Sequence, residues 1–256
     1  MLNEKKIICV IPARLQSTRF PRKMLASLGG RPLLASVWEA AKRVACFDDV
    51  LFAIDAPETA AIIESFGGRY LMTDPACATG TDRLVELIVN KKIDGNVIVN
   101  WQGDEPFITP PMITTLLQSI GNSEEEMWTL KKLITKPEDI FSPNIAKVVC
   151  NEQGFAIYFS RSPIPFSRDE SDPTVLIAKK TYYKHVGLYA FTPQALRKIA
   201  AMKQTSLEDT EKLEMLRFLG QGLTIRLHET NQEVFGIDTP ADLAKAENHL
   251  KNISSF

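Results

Sequence analysis

The chain has 256 residues, of which 45% are hydrophobic and 24% charged, and its formal net charge at pH 7 is −1. This composition is ordinary for a globular protein of one large domain, and the near-neutral charge excludes a global attraction to nucleic acid or to an anionic membrane. The N-terminal apolar stretch is too short for a signal peptide, and no run approaches the roughly 18 apolar residues of a membrane span, so we expect a cytoplasmic protein without membrane insertion.

The first half of the chain alternates short apolar runs with amphipathic segments. Residues 6–11, 50–54 and 96–100 are rich in β-branched residues and are apolar except at Lys6, Asn96 and Asn100, which predicts strands buried on both faces. Helical periodicity covers the segments around them, which are residues 31–45, 56–68, 81–92 and 110–121. This alternation predicts a doubly wound α/β fold, in which ligands bind at the carboxyl ends of parallel strands.

The second half has a different pattern. Residues 146–161 predict a hairpin that turns at 151–154, and the Pro- and Ser-rich segment 162–180 predicts an exposed loop. The remaining predicted elements are strands at 182–191 and 223–229, helices at 192–202 and 205–220, and a closing helix from Pro240. Thr205 and Glu208 have the spacing of a capping box.

The four cysteines indicate a reducing environment. Cys9, Cys46, Cys77 and Cys150 are widely separated and form no CxxC pair. Three of them lie in apolar or helical runs, so we predict reduced thiols in the protein core.

A cationic cluster directly follows the first predicted strand. Arg14, Arg19 and Lys23 stand close to Ser17 in the stretch VIPARLQSTRFPRK. Bidentate arginine side chains, a lysine and backbone amides of the loop, placed at the carboxyl end of a buried strand, predict a site for several phosphate oxygens. A solvated basic loop before a helix is the alternative interpretation. The dinucleotide fingerprint GxGxxG and the P-loop motif GxxxxGK[ST] are both absent from the chain, which excludes those two phosphate-binding classes.

Two acidic turns are candidates for a metal site. Asp104 follows the strand at 96–100 on a turn that Gly103 permits, and Asp238 stands between an apolar stretch and the helix that begins at Pro240. Carboxylates in such positions can hold Mg²⁺ against a bound polyphosphate, because Mg²⁺ usually takes one or two carboxylates together with phosphate oxygens. An ordinary acidic turn and a plain helix cap are the alternative interpretations.

A third group of residues could line a substrate site, and two of them, Arg161 and His185, could contact a substrate carboxylate. Arg161 and His185 lie in strand-like segments, and Glu211 and Glu214 are three residues apart in one predicted helix, so both can face the same side. Each of these residues, like Tyr189, is compatible with a purely structural role.

The motifs occur in the order of a known family and span nearly the whole chain. The sequence contains PARLQSTRFPRK, GTDR, VNWQGDEP, YFSRSPIP, KHVGLYAF and GIDTPADL, and it resembles the 3-deoxy-D-manno-octulosonate (Kdo) cytidylyltransferases. The resemblance implies a Rossmann-like nucleotidyltransferase fold, similar to that of the glycosyltransferase-A class, with a mainly parallel sheet flanked by helices. It also implies a single domain over residues 1–256, with a smaller β-rich subregion at about 137–190 that contributes to a homodimer.

The implied reaction transfers CMP from CTP to Kdo with Mg²⁺ and supplies the activated sugar for lipopolysaccharide. The implied catalytic residues are Arg14, Arg19, Lys23, Asp104 and Asp238, of which the two aspartates bind the metal. The implied nucleotide-binding residues are Pro12, Ala13, Arg14, Ser17, Thr18, Lys23, Gly80, Thr81, Arg83 and Gln102. The implied sugar-binding residues are Arg19, Gln102, Arg161, His185, Tyr189, Glu211 and Glu214.

Two positions depart from the family pattern. Arg22 stands where many members have glycine, and Met215 stands where the family has a glutamine that helps to hold the sugar, so a Kdo variant is an alternative substrate. A CMP-sialic acid synthetase is a further alternative. A metal-dependent glycosyltransferase would usually carry a D-x-D triad, which QGDEP lacks, and a non-catalytic subunit would not need both metal carboxylates.

Overall fold

The computed structural model describes residues 5–17, 20–121 and 125–253. The chain divides into two compact units, the first made of Met1–Ile113 together with Glu233–Phe256 and the second of Thr114–Gln232. The subregion predicted at 137–190 falls within the second unit. That the chain acts as a single domain stays a prediction.

The helices and strands follow one another in a regular α/β order in the first half of the chain. In chain order they are β1 (Ile7–Ala13), a 3-10 helix (Lys23–Leu25), β2 (Ser27–Leu28), β3 (Arg31–Pro32), α1 (Leu33–Lys42), β4 (Asp49–Ile54), α2 (Pro57–Ser65), β5 (Tyr70–Met72), α3 (Gly80–Val89), β6 (Val97–Asn100) and α4 (Pro110–Leu116). The rest are β7 (Met127–Leu133), α5 (Pro137–Phe141), β8 (Lys147–Cys150), β9 (Ala156–Ser160), α6 (Pro173–Ala178), β10 (Tyr183–Phe191), α7 (Pro193–Ala200), α8 (Ser206–Glu211), α9 (Met215–Gly220), β11 (Ile225–Glu229) and α10 (Pro240–Ile253).

The first unit has a parallel sheet with the strand order β6-β1-β4-β5. All seven residues of β1 are buried, and all four residues of β6 are buried as well. This burial explains why the two strands are apolar at every position except Asn100, because a parallel sheet covered on both faces has no solvent-facing side for polar residues. The predicted strands and the parallel α/β sheet are confirmed.

The second unit has a mixed sheet. Strand β7 is parallel to β11 and antiparallel to β10, and β8 pairs with β9 as the predicted hairpin. Gly154, with φ of +84°, makes the turn. Strand β7 was absent from the sequence prediction, because its MWTLKKL pattern carries two lysines.

Two predictions about the second unit are wrong. The segment 162–180 is not an unbroken loop, because it contains helix α6, whose first turn is capped by the side chain of Asp172. The helix predicted over 205–220 divides into α8 and α9 at Lys212, which adopts a left-handed conformation with φ of +53°. The capping box of Thr205 and Glu208 is confirmed at the start of α8.

The cysteine prediction is confirmed in part. All four thiols are free, but only Cys9 is buried and the other three are partly exposed. Over the described ranges 5–17, 20–121 and 125–253, no helix combines the length and the apolar character needed to cross a membrane.

Candidate functional site

Glycines in the first unit allow the loops that follow β1 and β6 to approach one another closely. A Cβ atom on Gly103 would lie 2.8 Å from the carbonyl oxygen of Pro12, a backbone atom that cannot move aside cheaply. A Cβ atom on Gly80 would lie 3.2 Å both from Pro12 Cγ and from the Oε1 atom of Gln102. Pro12 and Gln102 therefore both approach Gly80 closely, and all three residues are predicted to contact the nucleotide.

Side-chain hydrogen bonds hold Gln102 in place. Its Nε2 donates to Asn100 Oδ1 at 3.0 Å, and Asn100 Nδ2 lies 3.4 Å from the Thr81 hydroxyl. Thr81 is fully buried at the start of α3, where the side chains of Thr79 and Asp82 form a capping box. The start of α3 and the turn after β6 are thus tied together.

The loop after β1 presents Arg14 at the surface. Arg14 is exposed and its Nη1 donates to the carbonyl oxygen of Ala78 at 3.2 Å, whereas Ala13 is buried and Ser17 partly buried. Thr18 and Arg19, which were predicted to bind the nucleotide and the sugar, lie outside the described residues. The described part of the loop therefore places one of the predicted phosphate-binding arginines at the surface.

Arg83, which the family resemblance implies binds the nucleotide, is buried against other side chains of the first unit. It is 1% exposed, with Nη2 donating to Asp55 Oδ2 at 2.8 Å and Nη1 donating to the Thr73 hydroxyl at 2.7 Å. The other carboxylate oxygen of Asp55 accepts from the backbone N–H of Leu15 at 2.8 Å. Arg83 therefore braces the loop after β1 through Asp55.

Asp55 is a residue that the sequence analysis missed. It follows the buried strand β4 directly, which is the position at which ligands bind in a doubly wound sheet. That placement was visible in the sequence, but nothing nearby indicated that its partner would be an arginine 28 residues away.

The two predicted metal ligands come together, and Lys23 lies between them. Its Nζ donates to Asp238 Oδ1 at 2.8 Å and forms a short hydrogen bond with Asp104 Oδ2. Burial alone would lower the pKa of the Lys23 ammonium, but its contacts with Asp104 and Asp238 outweigh burial and raise that pKa above its ordinary value. Two residues far apart in sequence therefore aim their carboxylates at one positive charge.

A third carboxyl group, that of Glu105, lies in the turn after β6 that also carries Asp104. The Oε2 atom of Glu105 is buried and has no hydrogen-bond partner among the described residues. Burial and then the negative charges of Asp104 and Asp238 raise the pKa of Glu105 to about 8. The turn thus holds one carboxyl group that favours the neutral form beside two that face a cation.

This donor set fits a magnesium ion. Carboxylate oxygens are the ligands that Mg²⁺ prefers, and the ion usually completes its coordination with water and substrate phosphates. In the ranges described, no group of three or more His, Cys, Asp or Glu residues converges as a complete metal cage. Asp104 and Asp238 would therefore leave most positions of such an ion to phosphate and water.

Arg22 shows why the family position before Lys23 is often glycine. It has φ of +58° at the start of the 3-10 helix that carries Lys23, and a left-handed conformation costs a non-glycine residue roughly 1–2 kcal/mol. Glycine adopts this conformation without a Cβ clash, although its freer unfolded chain cancels part of the gain.

We expect Arg22→Gly to raise the free energy of unfolding by about 0.5–1 kcal/mol. Urea denaturation followed by circular dichroism measures the change. Arg22→Ala is the matched control, because it removes the exposed side chain but keeps the Cβ atom, and it should leave the stability unchanged. Equal stabilities of the glycine and alanine variants would contradict the strain argument.

In the second unit, Glu211 holds Arg161. The carboxylate of Glu211 accepts from the Ser160 hydroxyl at 2.6 Å and from the backbone N–H of Arg161 at 2.9 Å. The Arg161 side chain donates to the carbonyl oxygens of Glu211 at 2.8 Å and Pro143 at 2.9 Å. Glu211 therefore fixes the end of β9 and the direction of Arg161.

His185 lies among aromatic rings on β10. Its ring centroid is 5.1 Å from that of Phe159 and 5.4 Å from that of Tyr189, and its Nε2 lies 3.0 Å from the Thr129 hydroxyl. Burial lowers the pKa of His185 to about 3. The imidazole is therefore neutral at pH 7, and because Nε2 contacts Thr129, Nδ1 is the ring nitrogen that remains to donate to or accept from a ligand.

The placement of Glu214 and Met215 corrects one expectation. Glu211 ends α8 and Glu214 immediately precedes α9, so the two glutamates do not share a helix face. Met215 is 3% exposed in the core of the unit. Because protein atoms cover its side chain, Met215 presents almost no surface to a ligand, so nothing in the structure supports a sugar contact at the position where the family has glutamine.

The chain is similar to cytidylyltransferases along most of its length. A family model described as cytidylyltransferase matches residues 8–225. The 3-deoxy-manno-octulosonate cytidylyltransferases of Trichlorobacter lovleyi and Geobacter sulfurreducens are each 44% identical to it, over 251 and 250 residues, and both alignments cover 96% of this chain and 99% of the relative.

A solved structure supports the same assignment. The structure of a CMP:2-keto-3-deoxy-manno-octonic acid synthetase complexed with CTP matches with a TM-score of 0.88 and 37% sequence identity, over 96% of this chain and 99% of the other. This match confirms the predicted nucleotidyltransferase fold. The chain belongs to the cytidylyltransferase family, among the 3-deoxy-manno-octulosonate cytidylyltransferases.

Proposed function

We propose that the chain transfers CMP from CTP to the anomeric hydroxyl of Kdo and releases pyrophosphate, using Mg²⁺. The observation that carries the proposal is the convergence of Asp104 and Asp238 on a single positive charge beside the loops that follow β1 and β6. A pair of carboxylates with room for phosphate oxygens is the arrangement that a magnesium nucleotide requires. The product, CMP-Kdo, is the activated sugar for lipopolysaccharide, and we place the reaction in the cytoplasm.

Residues of the first unit would handle the triphosphate. Arg14, Arg19 and Lys23 supply the positive charge that the phosphates and the leaving pyrophosphate need, and charge that develops in the transition state is stabilised best by groups already in position. A bound Mg²⁺ ion would neutralise charge on the transferred phosphate and lower the pKa of the attacking hydroxyl. Pro12, Gly80 and Gln102 form the surface that we propose for the cytosine ring.

Residues of the second unit support a sugar acid as the acceptor. Arg161 carries a guanidinium that suits a carboxylate, and its direction is fixed by Glu211 and Pro143. A neutral His185 can donate to or accept from a sugar hydroxyl, beside the ring of Tyr189. Glu214 offers a carboxylate that can accept from hydroxyl groups.

The test is a pyrophosphate-release assay with the purified chain. We expect release that requires CTP, Kdo and Mg²⁺ together, and that stops when EDTA removes the metal. Replacing Kdo with N-acetylneuraminate should abolish release, and replacing CTP with UTP should reduce it strongly, because an unmatched base leaves buried polar groups unpaired. Turnover of N-acetylneuraminate but not of Kdo would overturn the proposed substrate.

We also propose that the chain forms a homodimer through the subregion at 137–190. A groove of about 710 Å³ lies there, and its apolar lining includes Phe141, Phe166, Leu176 and Tyr182. Phe166 is 86% exposed and Phe141 is 49% exposed. Large aromatic side chains on a surface are typical of protein interfaces.

We expect Phe166→Ser to raise the dimer dissociation constant at least about tenfold, since truncating a central aromatic residue costs roughly 2 kcal/mol or more. Sedimentation velocity over a concentration series measures this change. Val89→Ser is the control, because Val89 is also half-exposed but lies at the end of α3, outside the subregion. A wild-type chain that stays monomeric would contradict the dimer proposal.

A further inference from the structure

Lys23 contacts the two carboxylates rather than an open anion site. Its side chain is nearly buried, and its ammonium bonds to Asp104 and lies 2.8 Å from Asp238 Oδ1. These are the oxygens that would hold Mg²⁺ under the proposed function. One ammonium and one divalent cation cannot occupy the same position between two carboxylates.

The backbone around Lys23 is anchored, so only the side chain can leave. The N–H of Lys23 donates to the carbonyl oxygen of Phe20 at 3.2 Å, and the N–H of Ala26 donates to the carbonyl oxygen of Lys23 at 2.9 Å. The next residue, Met24, is 5% exposed in the core. The lysine side chain, in contrast, is a flexible four-carbon stem with a charge at its end.

The charges of Asp104 and Asp238 favour an exchange, in which a metal ion replaces the Lys23 ammonium, over the addition of the ion beside that ammonium. Without an ammonium between them, Asp104 and Asp238 would repel one another beside the buried Glu105 carboxyl group. Lys23 removes that repulsion in the free chain. The Lys23 ammonium also competes with any metal cation for the same carboxylate oxygens. This competition ends when an anion, such as a nucleotide triphosphate, binds and gives the ammonium another partner.

We propose that Lys23 is an internal placeholder for the metal ion, which exchanges its two carboxylate partners for the triphosphate when the nucleotide binds. The proposal rests on the metal site of the proposed function. It makes nucleotide binding and metal binding mutually favourable, because each ligand relieves a cost of the other and such coupling is reciprocal. The free chain should accordingly bind a divalent cation weakly when no nucleotide is present.

The test is the binding of Mn²⁺ to the full chain without nucleotide, followed by the electron paramagnetic resonance signal of free Mn²⁺. We expect Lys23→Met to bind Mn²⁺ about tenfold more tightly than wild type or better, because the ion no longer competes with a hydrogen-bonded ammonium. Lys23→Arg keeps the positive charge and should show no such gain. In the Lys23→Met background, Asp104→Asn should remove the gain.

The result that overturns the proposal is equal Mn²⁺ affinity in wild type and Lys23→Met. A gain that survives Asp104→Asn also overturns it, because the ion would then bind elsewhere. If circular dichroism shows that Lys23→Met does not fold, Lys23→Gln carries the same expectation. The pyrophosphate-release assay on the wild type is independent: if Kdo and CTP do not react but the gain is found, the proposed function fails and the placeholder stands.

Discussion

Asp104→Ala should lower kcat by about a thousandfold or more in the pyrophosphate-release assay. A metal ligand contributes several kcal/mol to the stabilisation of the transition state, and each 1.4 kcal/mol or so corresponds to a tenfold change in rate. Asp238→Ala should have a loss of similar size, because Asp104 and Asp238 face the same ammonium in the free chain. Steady-state rates at saturating CTP and Kdo give the comparison.

Two further variants test whether the loss of kcat comes from the charge of Asp104 itself. One removes the charge of Asp104 but keeps its shape, and the other removes an exposed carboxylate elsewhere. Asp104→Asn keeps the shape of the side chain but not its charge, so its kcat should fall to within tenfold of that of Asp104→Ala. Asp94→Ala removes an exposed carboxylate that precedes β6, whereas Asp104 follows that strand, and it should leave kcat unchanged. A kcat for Asp104→Ala within tenfold of the wild-type value would show that Asp104 does not hold the metal.

The sheet of the first unit could be predicted because the amino-acid composition of its strands indicates burial on both faces. Strands β1, β4 and β6 are apolar at nearly every position, which only a sheet covered on both faces explains. Strand β7 carries no such signal, because Lys131 and Lys132 interrupt it. Both lysines fit in this strand because their long side chains reach other partners. The Nζ atom of Lys131 lies 4.1 Å from the ring centroid of Tyr183, and the Nζ atom of Lys132 donates to the carbonyl oxygen of Asn231 at 2.8 Å.

The break between α8 and α9 could not be predicted. The left-handed residue is Lys212, a lysine with no special preference for φ of +53°, and glycine or asparagine is the residue that usually marks such a break. The helical periodicity continues through the break, so the sequence favoured one helix and placed Glu211 and Glu214 on the same face.

The positions of some site residues could be predicted from the strand order, but their side-chain partners could not. The position of Asp104 could be predicted, because residues that directly follow parallel strands lie at the ligand-binding edge of the sheet. The partners of Lys23 were different from those expected, because ion pairs with residues 81 and 215 positions away leave no local pattern. Arg83 is the clearest example of a partner that the sequence does not reveal. The GTDR motif implies a nucleotide-binding residue, but no local pattern indicates the carboxylate of Asp55 as its partner.

Arg83→Met should destabilise the protein by about 3–5 kcal/mol, the range for removing one partner of a buried ion pair. The methionine fills much of the space but leaves the Asp55 carboxylate, whose side chain is 10% exposed, without its cation. Thermal and urea denaturation measure the loss. Because Asp55 also accepts from the N–H of Leu15, the variant should raise the KM for CTP while the KM for Kdo stays within about twofold, an expectation from the bracing role of this pair.

The expectation can be tested against an exposed pair and by a double-mutant cycle. Arg31 and Glu39 form an ion pair on the surface, with side chains 54% and 42% exposed, and Arg31→Met should leave the stability close to that of the wild type, because solvent screens an exposed pair. Asp55→Asn combined with Arg83→Met removes the stranded charge and should recover part of the stability, since the cost arises from an unpaired carboxylate. If the double variant is as unstable as the sum of the single ones, the two side chains are not coupled, and the bracing role of Arg83 through Asp55 would be wrong.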